Sequence, residues 1–173
     1  MGTSYAYPIL ETGDAFEALR LAQRLVRLSE SQHYAMVDGQ ARLADSAILR
    51  RLVAAIPDGM SHVDDELPMT LELYDDTPPG SWEADFVAGL GATPAWLRWD
   101  LGAWPAGPFG YRDTEYSSVQ ICFNSRDRFF DPPPSGRAAH MVYVCTSMGQ
   151  RDRAEWLTEQ VGTAVLGDPI QSL

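Results

Sequence analysis

The stretch YSSVQICFNSRDRFFDPPPSGRAAHMVYVCTS, residues 116–147, contains two strand-like segments on either side of a proline-rich loop. In the first segment, Val119, Ile121 and Phe123 alternate with polar or small residues, which predicts a strand with one face in the core. The second segment, residues 138–147, is apolar on both faces, as expected of a central strand. Because no helical pattern separates these two strands, they favour an antiparallel sheet.

Helical patterns occupy four other parts of the chain. Asp14 and Asp45 each stand immediately before an amphipathic segment, where an aspartate side chain can cap the first free N–H groups of a helix. The predicted helices lie within residues 15–31, 46–56, 82–90 and 150–166. The sequence therefore predicts an α+β fold, with a mainly antiparallel sheet of four to six strands and three to four helices packed largely on one face.

Alternating polarity predicts two further strands, at residues 69–76 and 96–101. The second segment also suits a short helix capped by Thr93, and the strand is preferred because six residues are few for a helix. Trp99 then falls on the core face of this strand.

Local turn signals give three more predictions. The dipeptide Asp38-Gly39 is typical of a two-residue β-hairpin turn. Residues 58–68 are expected to form a polar loop, and residues 167–173 a frayed tail.

The length of 173 residues suits a single globular domain spanning residues 1–173. The net charge is −11, from 24 acidic and 13 basic residues, which disfavours binding to nucleic acid or to anionic membranes. The same charge suits a protein partner with a basic surface. Because every basic residue is an arginine, the chain has no lysine to form a Schiff base.

Two features concern the compartment. Cys122 and Cys145 lie in apolar runs and are expected to be reduced thiols, as is usual in the cytosol. The N-terminal segment lacks the basic and apolar regions of a signal peptide, and no apolar run has the length of a membrane span. We therefore expect a cytoplasmic location.

No motif with a secure chemical meaning is present, whether for phosphate binding, dinucleotide binding, zinc proteolysis or a nucleophile elbow. His62, Asp64, Asp65 and Glu66 form a dense group of metal-type ligands, but no second ligand motif accompanies them, so an exposed turn is expected there. We expect no metal and no cofactor, and a binding role is favoured over an enzymatic one.

Aromatic and arginine side chains concentrate in two regions, residues 96–112 and 126–130. Trp, Tyr and Arg dominate interface hot spots, and nearby carboxylates would complement a basic partner. The predicted binding residues are Trp96, Trp104, Phe109, Tyr111, Arg112, Arg126, Arg128, Phe129, Phe130, Asp64, Asp65 and Glu66. The alternative is that these loops fold back over the open face of the sheet, where their aromatic rings are buried.

These observations predict a cytosolic, acidic protein-binding module that neutralises or sequesters a macromolecular partner. Immunity proteins, antitoxins and phage-encoded inhibitors share this small, acidic, motif-poor profile. One alternative is a small-molecule-binding domain or a non-standard enzyme with an aromatic-lined pocket. A further possibility is a homo-oligomer whose aromatic patch is the contact between subunits.

Overall fold

The structure is a computed structural model that describes residues 4–29, 36–58, 61–64, 69–75, 82–133 and 139–172, with only the backbone described at 64, 69–75 and 172. The strands are β1 (Ser4–Thr12), β2 (Met36–Leu43), β3 (Ser61–Asp64), β4 (Met69–Asp75), β5 (Ala95–Asp100), β6 (Ser118–Phe123), β7 (His140–Ser147) and β8 (Ile170–Ser172). The helices are α1 (Ala15–Val26), α2 (Ser46–Ala55), α3 (Glu83–Leu90) and α4 (Arg151–Gln160), with a 3₁₀ turn at Gly107–Phe109.

All the strands join one antiparallel sheet in the order β3-β4-β2-β5-β6-β7-β1-β8. The predicted α+β class and antiparallel sheet are therefore confirmed. Six strands have six or more residues, while β3 and β8 are edge strands of 4 and 3 residues. Strands β6 and β7 are neighbours, with Ile121 opposite Val142, as their succession in the sequence predicts.

The four helices share one face of the sheet. Leu19 of α1, Leu52 of α2, Phe86 of α3 and Leu157 of α4 belong to the same buried cluster as the inward side chains of the central strands. The predicted packing of the helices on one face is thus confirmed. Among the described residues, no helix has the length and apolar character needed to cross a membrane.

Strand β5 resolves the ambiguity between strand and helix at residues 96–101. It pairs with β2 on one side and with β6 on the other. Trp99 is fully buried in the core, as predicted, and its indole nitrogen donates to a carboxylate oxygen of Glu83 at 3.4 Å.

The predicted hairpin at Asp38-Gly39 is wrong, because both residues lie in the middle of β2. Asp38 stands opposite Arg98 of β5, and Gly39 stands opposite Leu97. Strand β4 pairs along the other edge of β2. The sheet therefore provides hydrogen-bond partners on both sides of a segment whose local sequence favours a turn.

Three elements differ from the sequence-based expectations. Strand β1 was not predicted, and residues 61–64 form β3 where a loop was expected. The tail is not frayed, because β8 pairs with β1. The preceding segment is also fixed, since the amide of Leu166 donates to the carbonyl of Pro8 at 2.8 Å. Long-range pairing supplies the order that these segments lack locally.

The loop after β5 runs close against α4. Gly107 has a φ of +49°, and a β-carbon placed there would lie 2.8 Å from the ring of Trp156. The ring of Phe109 meets Trp156 edge to face, with centroids 6.2 Å apart. Glycine is required at position 107 both by its backbone conformation and by the approach of the indole.

We expect Gly107→Ala to destabilise the protein by about 1–3 kcal/mol, from left-handed strain and displacement of the Trp156 ring. Gly13→Ala is the matched control, since a β-carbon there meets nothing within 4 Å, and its effect should stay within about 0.5 kcal/mol. Urea unfolding of both variants measures the difference. Equal stability of the two variants would contradict the close approach.

Candidate functional site on the open face of the sheet

The face of the sheet opposite the helices, which we call the open face, has its own buried cluster. Strands β1, β5, β6 and β7 contribute its members, and no helical residue belongs to it. The buried residues are Ala6, Trp96, Cys122, Met141, Tyr143 and Cys145. This apolar centre must be shielded from water by something other than a helix.

Residues 124–131, which we call the cover loop, shield the open face. Phe130 packs against the buried cluster. The guanidinium carbon of Arg128 lies 4.8 Å from the ring centroid of Trp96, in a cation–π arrangement. The hydroxyl of Tyr143 donates to the carbonyl of Arg126. The cover loop is therefore attached to β5 and β7 by side chains of different chemistry.

Asp127 organises the cover loop from within. One of its carboxylate oxygens accepts from the amides of Phe129 at 3.0 Å and Asp131 at 3.3 Å. The amide of Arg126 donates to the carbonyl of Asp131 at 2.7 Å, and its guanidinium forms ion pairs with both aspartates. These bonds hold Phe130 at a φ of +64°, a left-handed conformation that is unfavourable for a bulky side chain.

The strained turn determines which aromatic side chain reaches solvent. Phe130 turns onto the open face and is half-buried, while Phe129 is 71% exposed at the tip of the loop. Since backbone strain persists only where the surroundings over-determine it, the exposed ring of Phe129 is presented by a well-ordered turn.

A row of polar side chains crosses the open face beside the apolar cluster. Asp38, Arg98, Gln120 and Tyr143 stand opposite one another on β2, β5, β6 and β7. The guanidinium of Arg98 pairs with Asp100 at 2.9 Å. The open face thus combines apolar, polar and charged groups in a partly sheltered place.

Within the part of the chain that the structure describes, three buried oxygen atoms on this face have no hydrogen-bond partner: Oδ1 of Asp38, Oγ of Ser118 and Oε1 of Gln120. Cross-strand pairing places Ser118 opposite Asp100 and Gln120 opposite Arg98, so these atoms flank the Arg98–Asp100 pair. Buried polar atoms in native proteins are nearly always hydrogen-bonded. Their concentration on one face marks it as the candidate site.

A cavity of about 110 Å³ lies between the cover loop and the last strand. Gln120 and Ala6 line it from the sheet, and Phe129 from the tip of the loop. The complete lining is Ala6, Gln120, Asp127, Arg128, Phe129, Ile170 and Gln171. The cavity therefore depends on β8, the strand at the edge of the sheet.

Burial also shifts the protonation of groups on the open face. It raises the pKa of the Asp38 carboxyl above its ordinary 3.8, and the negative charge of Asp100 adds to this effect. Burial raises the pKa of Cys122 to about 12, so its thiol stays protonated and is a poor nucleophile. Cys122 and Cys145 are both buried thiols without a disulfide, and no metal-binding group of His, Cys, Asp or Glu occurs among the described residues.

The structure separates the sequence-predicted binding residues into several groups. Trp104 is fully buried and donates from its indole to the carbonyl of Cys145 at 2.7 Å, so it contributes to folding and not to a contact surface. Trp96 is also buried, beneath Arg128. Trp104 belongs to the core on the helical side and Trp96 to strand β5, so neither ring belongs to a loop that folds back over the open face. Arg112 and Arg126 are exposed, and Arg128 is half-buried.

Phe109 and Tyr111 form a clamp around Arg153 of α4. The guanidinium carbon of Arg153 lies 4.7 Å from the ring centroid of Phe109 and 5.0 Å from that of Tyr111. Its nitrogens donate to the carbonyls of Pro105 at 2.5 Å and Tyr111 at 2.8 Å. Arg153 is only 1% exposed, so these contacts stabilise a buried cation. Tyr111 remains 56% exposed, but its ring already serves the clamp.

Three of the predicted binding residues are the acidic residues 64–66. Asp64 ends β3 and only its backbone is described, while Asp65 and Glu66 lie outside the described residues. In contrast, Asp38, Ser118 and Gln120 were not predicted as site residues. Gln120 is a polar residue inside the apolar run VQICF, which is the signal in the sequence that could have identified it.

No protein-family model matches the chain, and no significant similarity to curated proteins or to solved structures is found.

We expect Asp38→Asn to be more stable than the wild type at neutral pH, with a gain that shrinks as the pH falls toward 3.8. Because folding raises the pKa of Asp38, the protonated carboxyl contributes to the free energy of unfolding at low pH. This contribution is lost as the pH rises through the folded pKa and the carboxyl ionises. The amide of asparagine does not ionise, so the variant keeps its stability at neutral pH. Urea unfolding across the pH range measures the gain.

Asp58→Asn, at an exposed position, is the matched control for the removal of one negative charge. A stability difference between Asp38→Asn and wild type that does not vary with pH would contradict the burial of this carboxyl.

Proposed function

We propose that the chain is a cytoplasmic protein-binding module that neutralises or sequesters a partner with a basic surface, in the manner of an immunity protein, antitoxin or phage inhibitor. The contact surface is the cover loop together with the cavity beside it. The observation that carries the proposal is the exposure of Phe129 at the tip of an ordered, strained turn.

Pre-organisation is the physical reason to connect this turn with recognition. Ordering a loop on binding opposes association, and a loop already fixed by Asp127 and Arg126 avoids much of that loss. A large aromatic ring offered by such a loop buries apolar area at little entropic cost. Phe129 is therefore the expected anchor of the interface.

Charge supports the choice of partner. The chain carries a net charge of −11, and like charge opposes association with nucleic acid or an anionic membrane. The negative charge of the chain attracts a basic protein surface at separations up to about the Debye length. This attraction steers the partner toward the acidic chain and speeds association. The two buried thiols suit a reducing cytoplasm.

The size of the cavity distinguishes a protein partner from a larger organic ligand. Its volume of about 110 Å³ is below the roughly 300–1,000 Å³ typical of pockets for cofactors and drug-sized ligands. The space suits one side chain inserted from a partner surface. Binding of a small molecule is the second candidate function, and it is restricted to ligands of fragment size. It is favoured by Gln120, which lines the cavity and whose carbonyl oxygen has no partner among the described residues.

We expect Phe129→Ala to reduce partner retention about 30-fold, since truncating an interface hot spot costs about 2 kcal/mol. Phe16→Ala is the control, because Phe16 is an exposed phenylalanine on α1, away from the open face. Tagged wild type and both variants are incubated with extract of the native cell, and the retained proteins are quantified by mass spectrometry.

Equal retention by Phe129→Ala and Phe16→Ala would contradict the assigned surface. Recovery of no stoichiometric macromolecule by the wild type would contradict protein binding altogether. Urea unfolding of each variant verifies that the immobilised protein is folded.

A further inference from the structure

We infer that the cavity beneath the cover loop binds a guanidinium group, supplied by an arginine side chain of the partner. The inference rests on the proposed function for the source of that side chain. It rests on the geometry of the cavity for the chemistry of the group.

Gln120 supplies the polar floor of the cavity. Its side chain is 1% exposed, and its Nε2 donates to the sulfur of Cys122 at 3.2 Å. This bond directs the amide so that Oε1 is the atom left without a partner. A buried carbonyl oxygen in this state is destabilising, and a ligand that donates a hydrogen bond to it recovers that loss.

The other unpartnered atoms of the described residues belong to the open face outside the lining of the cavity. They are Oγ of Ser118, two residues along the same face of β6, and Oδ1 of Asp38, in the polar row that includes Gln120. Of the residues that line the cavity, Gln120 carries the unpartnered atom. This carbonyl oxygen only accepts hydrogen bonds, so the group that fits it is an N–H donor.

The walls favour a donor attached to an apolar stem. Ala6 and Ile170 offer aliphatic surface, which packs against the methylene groups of an arginine side chain. Phe129 lines the cavity and is 71% exposed, and an aromatic ring in such a place attracts a cation. A guanidinium is planar and weakly hydrated, so it enters a sheltered cavity more readily than an ammonium does.

The two charged residues that line the cavity, Asp127 and Arg128, balance each other in charge. Arg128 is stacked over Trp96, and Asp127 forms an ion pair with Arg126. Recognition of an incoming guanidinium therefore depends on the carbonyl of Gln120 and the ring of Phe129, and not on a net charge of the cavity.

The test uses N-acetyl-arginine methylamide as the probe and isotope-labelled protein in NMR titrations. We expect saturable shifts of the Gln120 side-chain amide and of the backbone amides of Phe129 and Gln171, with a Kd in the millimolar range. The corresponding glutamate probe should produce no saturable shift, and the lysine probe should bind more weakly than the arginine probe. Absence of saturation by the arginine probe at about 10 mM overturns the inference.

Gln120→Met removes the acceptor while keeping the shape of the side chain, and it should weaken probe binding at least tenfold. Gln160→Met makes the same change on the exposed side of α4 and should leave binding unchanged. Ile170→Trp fills the cavity from the edge strand and provides a second variant if Gln120→Met fails to fold. Wild-type affinity in a folded Gln120→Met or Ile170→Trp variant overturns the inference.

Partner capture separates this inference from the proposed function. Probe binding that depends on Gln120, with no partner retained, supports the chemistry of the cavity and contradicts protein binding. A partner retained through Phe129, with equal retention by Gln120→Met, supports protein binding and overturns the arginine site.

Discussion

The placement of the four described helices on one face of the sheet is the constraint on which the rest of the structure depends. Their side chains Leu19, Leu52, Phe86 and Leu157 fill that side, and within the described residues no helix covers the other. Yet Trp96, Tyr143 and the side chains around them need protection from water. A loop of eight residues provides it, and the loop must therefore combine packing with internal hydrogen bonds.

This division explains why the aromatic residues have different fates. Trp99 and Trp104 fill the core on the helical side, and Phe109 with Tyr111 encloses the cation of Arg153. Phe130 faces the sheet, and the same turn directs Phe129 outward. Aromatic density in the sequence therefore reflects three structural tasks, while the ring of Phe129 stays 71% exposed.

The sequence predicts best where the determining interactions are local. Asp14 and Asp45 cap α1 and α2 as their positions indicate, and alternation identifies β5 and β6. Prediction fails where distant pairing decides. Asp38-Gly39 is typical of a turn, but pairing with β4 and β5 keeps these residues in a strand. Strand β8 is ordered by its pairing with β1.

The candidate site follows the same rule. The sequence predicts Phe129 and Arg128 as binding residues, but it cannot place Gln120 beside them, because that position depends on the register of β5, β6 and β7. It also cannot distinguish the buried Trp104 from the exposed Phe129, since both follow strands in aromatic, proline-containing loops. Whether each of these two rings is buried or exposed is decided by how its loop packs on the sheet.

In the proposed function, a partner contacts the open face of the sheet and not the helical face. Hydrogen–deuterium exchange of the chain alone and in complex with its captured partner distinguishes the two faces. Slower exchange on binding is expected for the amides of residues 125–131 and of β8. Slower exchange confined to α1 and α2, with the cover loop unchanged, would contradict this proposal.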